Sequence, residues 1–257
     1  LGVNSISGLI LENAAAAVCG MVRAHWEPPP GKLRVALSLF GFITAAAEHT
    51  RGFLEEMGYE VIAFHANGTG GMALEELAAE GRFDGILDLA THELADELLQ
   101  GYCRGIGPQR LEPVPGRKIP RLVVPGGLDC AVLIFTRDSI PREYRDRKVF
   151  FYDFRSAIRL DRSETVRIAG QLAAKANKDP SMVKMLVPMK GWSEADREGG
   201  PLYDPALRDE FMRELETRLD HQVEIEKAEA HINDPAFARL AAERMDDMIR
   251  RAKASRA

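Results

Sequence analysis

Residues 61–72 read Val61-Ile62-Ala63-Phe64-His65-Ala66-Asn67-Gly68-Thr69-Gly70-Gly71-Met72. An apolar run ends here in a histidine and enters a glycine-rich turn, after which a helical pattern begins. Glycine allows positive φ angles and a close approach of the backbone to a ligand, and the free N–H groups of a helix start attract negative charge. The stretch therefore predicts a β-strand, an anion-binding turn and a helix, in that order.

The same alternation of short apolar runs with amphipathic helical runs continues along the chain from Leu33, which is typical of a parallel sheet flanked by helices. Strands are predicted at residues 35–40, 61–64, 85–89, 122–124, 149–152, 182–187 and 222–226. Helices are predicted at residues 44–57, 72–80, 92–100 and 163–176, from 205 to about 219 and from 235 to about 250. We expect an α/β fold with a Rossmann-like, doubly wound, mostly parallel sheet of about seven strands, preceded by an N-terminal helix.

Local signals mark where several of these helices begin and end. Glycines that follow a helical pattern favour a helix C-terminus, and Ser, Thr, Asp or Asn before one favours an N-cap. The predicted C-terminal glycines are Gly58, Gly81 and Gly101. The predicted N-caps are Thr91, Asp204 and Asp234, and the two aspartates each precede a proline at the first helical position.

An alanine-rich helical pattern covers residues 5–23, and the run Pro28-Pro29-Pro30-Gly31 separates it from the rest of the chain. We therefore divide the chain into residues 1–30, an N-terminal helix with a proline-rich linker, and residues 31–257, the α/β domain. A further division of that domain into two sub-lobes near residues 136–148 stays open. The lone helix must pack on something, either the following domain, a second subunit or a preceding domain.

The composition, with 46% apolar and 28% charged residues among 257, is that of an ordinary globular protein. A net charge of −5 argues against a nucleic-acid partner, which would require a basic surface. Three widely spaced cysteines without a C-x-x-C pair fit a reducing compartment. No run approaches the roughly 20 apolar residues that span a bilayer, and no signal peptide is recognisable. We expect a cytoplasmic protein with no nucleic-acid or membrane partner.

Ligands of open parallel sheets bind outside the carboxyl ends of the strands, and polar or glycine residues follow most of the predicted strands. The candidates for catalysis are His65, Asp129, Lys190 and His231. The candidates for ligand binding are Gly68, Thr69, Gly70, Gly71, Asp88, Thr91, Glu93, Gly126 and Gly127. Each has a structural alternative as well, because histidines and aspartates of this kind also bond neighbouring loops or cap backbone groups, and loop lysines are often only solvated.

Residues 68–73 also satisfy G-x-G-x-x-G/A, with Asp88 about 20 residues further on, as a dinucleotide-binding fold requires. That fingerprint normally follows the first strand of the sheet, whereas here it follows the second. No G-K-[ST] ends a glycine run, and no G-x-S-x-G is present. A dinucleotide is therefore a lesser alternative, and the chain shows no recognised nucleophile motif.

The segment His92-Glu93-Leu94-Ala95-Asp96 imitates the first half of a zincin motif but lacks the second histidine. The simpler interpretation of Glu93 is an acidic residue in the first turn of a helix, where the helix dipole favours it. No paired spacing supports a metal site built from His65, His92, Asp129 or His231. We predict no metal.

Several motifs, taken in order, resemble a known family. They are Asn13-Ala14-Ala15-Ala16-Ala17, Gly58-Tyr59-Glu60-Val61, Phe64-His65-Ala66-Asn67-Gly68-Thr69-Gly70-Gly71, Asp84-Gly85-Ile86-Leu87-Asp88-Leu89, Thr91-His92-Glu93-Leu94-Ala95-Asp96-Glu97, Val124-Pro125-Gly126-Gly127-Leu128-Asp129, Gly200-Pro201-Leu202-Tyr203-Asp204-Pro205 and His231-Ile232-Asn233-Asp234-Pro235-Ala236-Phe237-Ala238. From Asn4 to about Ala242 the chain resembles the C-terminal half of the tomato mosaic virus resistance protein-like ATP-binding family.

The resemblance implies properties that the residues alone do not give. Members of the family typically carry another α/β domain before this one, and a plant member is similar to an inhibitor that binds a viral replication protein and ATP and self-associates. It implies ATP or another phosphorylated ligand, a homo-oligomer, and a preceding α/β domain. A site shared between the two halves would be incomplete in this chain.

The function predicted from the sequence is the binding of a nucleotide such as ATP, or of another phosphorylated or carboxylated small molecule, at the carboxyl edge of the sheet. A non-catalytic, self-associating protein-interaction module is the alternative, and a dinucleotide-dependent oxidoreductase a lesser one. The titratable groups in the expected cleft favour an enzyme, whereas the lack of a recognised nucleophile or base pair favours a binding module. Whether a reaction is catalysed stays open.

Overall fold

A computed structural model describes residues 2–25 and 31–255. The predicted break at Pro28, Pro29 and Pro30 lies outside the described residues. The chain divides into two compact units, one up to Lys32 and the other from Leu33 onward.

The first unit is the helix α1, Ser5–Arg23, as predicted. Asn4 starts it with a capping box, since its side-chain oxygen accepts from the amides of Ile6 and Ser7 while the Ser7 hydroxyl accepts from the Asn4 amide. None of its residues is buried. By length and composition alone, α1 could cross a membrane. This corrects the expectation that no apolar run approaches that length.

The second unit contains two sheets. Its strands are β1 Arg34–Leu39, β2 Glu60–His65, β3 Gly85–Ala90, β4 Arg121–Gly126, β5 Cys130–Leu133, β6 Val149–Phe151, β7 Ser156–Arg159, β8 Val183–Pro188 and β9 Glu224–Ala228. Its helices are α2 Thr44–Glu56, α3 Thr69–Ala79, α4 Glu93–Leu99, α5 Arg162–Ala176, α6 Pro205–Arg218 and α7 Pro235–Ala254, with 3₁₀ turns at Gly41–Ile43 and Arg142–Tyr144.

The main sheet has the strand order β2-β1-β3-β4-β8-β9, and every neighbouring pair in it is parallel. β5, β7 and β6 form a separate antiparallel sheet in that order. The predicted α/β, Rossmann-like architecture is confirmed. Two details differ. The predicted strand at 149–152 belongs to the small sheet. β5 and β7 were not predicted, because strands of four residues are too short to show a period.

Alternating residues of the main strands pack on opposite faces of the sheet, as the two-residue period of a strand requires. Val35 and Leu37 of β1 lie in one hydrophobic cluster with residues of α2 and α7. Ala36, between them, packs with Leu74 and Ala78 of α3. Residues of β4 and β8 likewise pack with α5 and α6 in a third cluster. Helices therefore cover both faces, which is the doubly wound arrangement.

The predicted helix ends are correct at some positions and wrong at others. Gly58 and Gly81 have φ angles of 92° and 80° and follow α2 and α3 as predicted. At the end of α4 the left-handed residue is Gln100, with φ 54°, and not Gly101. The Asp204 carboxylate caps α6 by accepting from the Leu207 amide.

Two predicted N-caps bond elsewhere. Thr91 lies before α4, but its hydroxyl donates to the carbonyl of Val124 on β4, and the helix has His92 at its cap position. Asp234 precedes α7, but its carboxylate accepts from the amide of His231. The Thr91 side chain thus ties its loop to β4, and that of Asp234, the N-cap residue of α7, bonds within its own loop. Neither side chain caps a helix.

Candidate functional site

The loops at the carboxyl edge of the main sheet are joined by hydrogen bonds. The carbonyl of Phe42, after β1, accepts from the amide of Glu194, after β8, and from the side chain of Asn233, after β9, both at 3.0 Å. The amide of Gly127, after β4, donates to the carbonyl of Trp192 at 2.8 Å. The loops thus gather at one edge, and those after β4, β8 and β9 are packed against each other.

The strand order reverses at β1, which has β2 on one side and β3 on the other. In open α/β sheets the crevice for ligands lies at such a point, between the two loops that lead to opposite faces. Here these are the turn Gly41–Ile43, which leads into α2, and residues 91–92, which lead into α4. The topology therefore predicts a ligand site beside the turn after β1.

The predicted anion-binding turn already holds a carboxylate of the protein itself. Gly68 has a φ angle of 89°, and its amide donates to Oε1 of Glu93 at 2.8 Å. The amide of Gly70 donates to the side-chain oxygen of Asn67 at 3.1 Å. Two of the amides expected to hold a ligand are thus bonded internally, and a negative charge lies beside the start of α3.

The glycines of this turn are needed for close packing. A Cβ on Gly70 would lie 1.9 Å from the carbonyl oxygen of His65, and one on Gly71 would lie 2.5 Å from a carboxylate oxygen of Glu93. These contacts are too short for any side chain. Thr69, directly before Gly70, is exposed. Packing within the protein therefore explains these two glycines without a ligand.

The glycines after β4 are also packed. A Cβ on Gly126 would lie 2.0 Å from the carbonyl oxygen of Leu89, and one on Gly127 would lie 2.8 Å from Cβ of His92. Both glycines let β4 and its loop approach β3 and the start of α4. Gly41 differs, since an added Cβ there meets no atom within 4 Å.

Glu93 belongs to a buried ion network with Glu75, Asp88, Arg110 and Arg121. Arg110 contacts Glu93 at 2.8 Å and Asp88 at 2.7 Å, and Arg121 contacts Asp88 at 2.8 Å and Glu75 at 2.6 Å. Burial raises the pKa of Glu93, although Arg110 opposes this. Asp88 is fully buried between two arginines, so it has no free oxygen for the ribose contact of a dinucleotide. Three acids and two bases leave a net negative charge here.

Asp129 lies inside the protein, after β4. Its Oδ2 accepts from the Ser193 hydroxyl at 2.8 Å, and its Oδ1 has no hydrogen-bond partner among the described residues. Burial, with a contribution from nearby Asp196, raises the pKa of Asp129 to about 6, although Arg159 opposes the shift. The side chain is 1% exposed, so it is a buried acid and not a group of the open edge.

The side chains of His231 and Lys190 differ in whether they are available to a ligand. The His231 ring is held at both nitrogens, because Nδ1 accepts from the Asn233 amide at 3.1 Å and Nε2 therefore donates to the Ser193 carbonyl at 2.9 Å. Lys190 is exposed, and no ion pair of its ammonium group occurs among residues 2–25 and 31–255. Of these two candidates, only Lys190 has a side chain available to a ligand.

Arg155 is a cationic group of the edge, and His65 lies near it. His65 is exposed at the end of β2, and burial of part of its ring, together with Arg155, lowers its pKa. The Arg155 guanidinium lies 4.9 Å from the ring centre of Tyr102 and 5.1 Å from that of Phe154, and pairs with Asp153 at 2.7 Å. The sequence reasoning missed Arg155, although the run Tyr152-Asp153-Phe154-Arg155 in a loop is a signal that could have found it.

One further group of polar side chains lies under this edge. A nitrogen of His92, an oxygen of Asp96 and the sulfur of Cys103 lie within 4.8 Å of one another, and all three residues are buried. The His92 ring stacks on Phe40 with 3.6 Å between ring centres. Burial lowers the pKa of His92 well below its ordinary value, and His65 and Arg110 lower it further.

Cavities of about 400 Å³ and 390 Å³ lie away from the carboxyl edge. The first is lined by residues near the amino ends of β4 and β8, including Pro120 and Lys184. The second lies between α3 and residues 106–115. No candidate residue predicted from the sequence lines either of these two cavities.

Comparison with known proteins gives consistent results. The sequence profile described as Uncharacterised protein family (UPF0261) C-terminal domain matches residues 32–249. A UPF0261 protein of Clostridium tetani is 34% identical over 254 residues, which are 96% of this chain and 62% of that protein. A ToMV resistance protein of Solanum lycopersicum is 33% identical over 246 residues, 92% of this chain and 32% of that protein. The chain thus spans less than two thirds of these relatives.

Proposed function

The chain belongs to the uncharacterised protein family UPF0261, whose C-terminal domain it contains, and from this premise we propose that it binds a small anionic molecule at the carboxyl edge of its main sheet. The ligand is a nucleotide such as ATP or another phosphorylated or carboxylated compound. Its negative group lies at the turn Gly41–Ile43, and not at the Gly68–Gly71 turn where the sequence alone suggested it. The activity and partners of the longer relatives are not carried over.

The observation that carries the proposal is the open Gly41 turn at the reversal of strand order. A Cβ added to Gly41 would meet no atom of the described residues within 4 Å, and the φ angle of Gly41 lies outside the range that favours glycine. Neither packing nor backbone conformation therefore requires glycine there. It precedes the N-terminus of α2, whose dipole favours negative charge. A residue without a side chain at this place leaves room for a ligand to approach the backbone.

Other groups of the edge suit such a ligand. Lys190 is exposed and can offer hydrogen bonds and positive charge to phosphate or carboxylate oxygens, and the exposed His65 ring can donate a hydrogen bond. Arg155, with Tyr102 and Phe154 beside it, offers a flat cationic and aromatic surface on which a planar group such as a base can stack. At the Gly68–Gly71 turn, by contrast, Glu93 would repel an anion.

The test is a thermal-shift and calorimetric titration with ATP, inorganic phosphate and sulfate. We expect at least one of them to raise the melting temperature of the unchanged protein. Gly41→Asp places a carboxylate where the anion would bind, and is expected to weaken binding about 10-fold or more through charge repulsion. The folded state should not suffer, because an acid before a helix is favourable.

Gly52→Asp is the matched control, because Gly52 also has no neighbour within 4 Å but lies inside α2, away from the turn. It adds the same charge to the same helix, and we expect it to bind the anion like the unchanged protein. The proposal fails if no anion of the panel raises the melting temperature. It also fails if Gly41→Asp retains the full shift.

A self-associating interaction module is the second candidate function, and one observation favours it. Large apolar side chains of α1 are strongly exposed, among them Ile10 at 62% and Val18 at 58%. Exposed apolar surface of this kind marks contact sites with other chains. A cytoplasmic location and the absence of a nucleic-acid partner stay predictions from net charge and cysteine spacing.

A further inference from the structure

His92 is a buried polar side chain without a partner. It is fully buried, and neither ring nitrogen has a hydrogen-bond partner among the described residues. Buried polar groups in folded proteins are almost always paired, since an unpaired one loses its bonds to water without replacement. Stacking on Phe40 accounts for the position of the ring but satisfies neither nitrogen.

The local backbone brings two further side chains with possible metal-ligand atoms close to this ring. His92 and Asp96 are four residues apart at the start of α4, so they lie on the same side of the helix. The left-handed residue Gln100 ends the helix and turns the chain back, which brings Cys103 to the same side. Gly101 makes the return possible, because a Cβ there would lie 2.7 Å from Cγ of Asp96.

The carboxylate of Asp96 is fixed in place by the backbone. Its Oδ1 accepts from the amide of Val132 and its Oδ2 from the amide of Cys103, each at 2.7 Å. A carboxylate oxygen can accept more than one bond, so both oxygens keep a lone pair. Outer hydrogen bonds of this kind commonly orient the carboxylate ligands of metal ions.

We propose that His92, Asp96 and Cys103 form a binding site for a divalent transition metal ion of the zinc type. Imidazole nitrogen, carboxylate oxygen and thiolate sulfur are the three donor types that zinc takes in proteins. In a tetrahedral zinc site with ordinary bond lengths the donors lie ~3.3–3.8 Å apart. The separation of up to 4.8 Å seen here requires a movement of about 1 Å or less in two side chains.

Charge and protons balance in this site. The ion binds the Cys103 thiolate, the Asp96 carboxylate and a neutral His92, so two negative charges match the doubly charged ion. The thiol proton passes to solvent on binding, and the fourth position is left to a water molecule. Glu93 has no part in the coordination, because its carboxylate is bonded to Arg110 and to the Gly68 amide.

The spacing of these residues explains why the sequence did not reveal the site. A helix that binds zinc through two histidines uses positions i and i+4, and here Asp96 stands at the second position. His92 and Asp96 keep the i, i+4 spacing of such a pair, but the second residue is an aspartate. Cys103 lies beyond the end of the helix. The site does not depend on anion binding at Gly41, since the two involve different residues.

The test uses the full chain with Cys19→Ser, because Cys19 is the exposed cysteine and could bind metal by itself. The protein is stripped with a chelator and titrated with Co²⁺ and then with Zn²⁺. We expect one ion per chain, a thiolate-to-cobalt absorption band in the near ultraviolet, and a rise in melting temperature with Zn²⁺. Loss of affinity of about 100-fold or more is expected for Cys103→Ser and for His92→Phe, which keeps an aromatic ring against Phe40.

Cys130→Ser is the control, because Cys130 is also buried but is not one of the three donors. It should bind Co²⁺ with the unchanged spectrum. If Cys103→Ser and His92→Phe fail to fold, the cobalt spectrum of the Cys19→Ser protein still tests the proposal. Absence of the thiolate band at stoichiometric Co²⁺, or an unchanged affinity in folded Cys103→Ser or His92→Phe, would overturn the proposal.

Discussion

At the residue scale, the glycines of the chain show that one residue type serves different purposes. Gly70 and Gly71 lie against a carbonyl and a carboxylate, so their lack of a side chain is a condition of folding. Gly41 has open space around it. A sequence shows glycine in each case, and only the neighbouring atoms distinguish a packing role from room for a ligand.

The buried acid Asp129 makes stability depend on pH. Its pKa of about 6 in the folded protein lies above its ordinary value, so the folded state keeps a proton that the unfolded chain releases as pH rises from about 4 to 6. The stabilisation of the folded state by this proton is therefore complete at low pH and is lost as pH rises through 6. We predict that the unfolding free energy, measured relative to Asp129→Asn, increases by about 1 kcal/mol when pH falls from 8 to 5.

Urea unfolding of both proteins at pH 8 and pH 5 gives this difference directly. Asp129→Asn keeps the shape of the side chain and an oxygen that can accept from Ser193, while it removes the titration. A difference that is constant with pH, or that becomes smaller toward pH 5, would contradict a raised pKa.

The candidate site was only partly predictable from residues. His65 is the last residue of β2 and Lys190 lies two residues after β8, and both are exposed. Asp88 lies within β3, and Thr91 and Glu93 come shortly after it. All three side chains lie inside, where Arg110 and the carbonyl of Val124 are their partners. Arg110 comes from a long loop whose path no local pattern indicates, so this internal pairing could not be read from the sequence.

At the element scale, the helices and the strands of the main sheet were predictable, whereas the short strands β5 and β7 were not. α1 and α5 have strong periodic patterns with polar N-caps, and their bounds were close to those observed. β5 and β7 are stabilised by pairing with each other, from Cys130 with Arg159 to Leu133 with Ser156. Such a pairing joins residues far apart in sequence, and four residues carry too little pattern to predict it.

We predict that α1 mediates self-association. Its exposed apolar side chains lose contact with water when two copies pack together, which favours the oligomer. The substitution Ile10→Asp puts a charge into such an interface, and we expect it to shift the protein toward the monomer. Size-exclusion chromatography with light scattering measures the mass.

Ile134→Asp is the control for this change, because Ile134 is 66% exposed and belongs to the second unit. It introduces the same charge at a similarly exposed isoleucine, and its oligomeric state should equal that of the unchanged protein. An unchanged protein that is monomeric at high concentration would contradict the prediction.

At the scale of the whole molecule, the sheet class followed from the alternation of strands and helices, but the strand order did not. The reversal at β1, where the proposed site lies, depends on which face each connecting helix covers. Every connection within the main sheet is long enough to cross to either side. The order is therefore a property of the packed molecule and not of any single segment.

Hydrogen exchange should reveal this order. β1, β3, β4 and β8 each have a strand on both sides, while β2 and β9 are the two edges. We predict that amides of β3 and β4 exchange most slowly and that those of β2 and β9 exchange faster, because edge strands open without breaking the centre of the sheet. Mass spectrometry of peptides after exchange measures this, and equal protection of β9 and β4 would contradict it.

The carbonyl oxygen of Phe42 has a mechanical consequence for the molecule. It receives hydrogen bonds from the connections after β8 and β9 and is itself part of the turn proposed to meet the ligand. A shift of this turn would change the length of both hydrogen bonds, so the turn and the two connections are expected to move together.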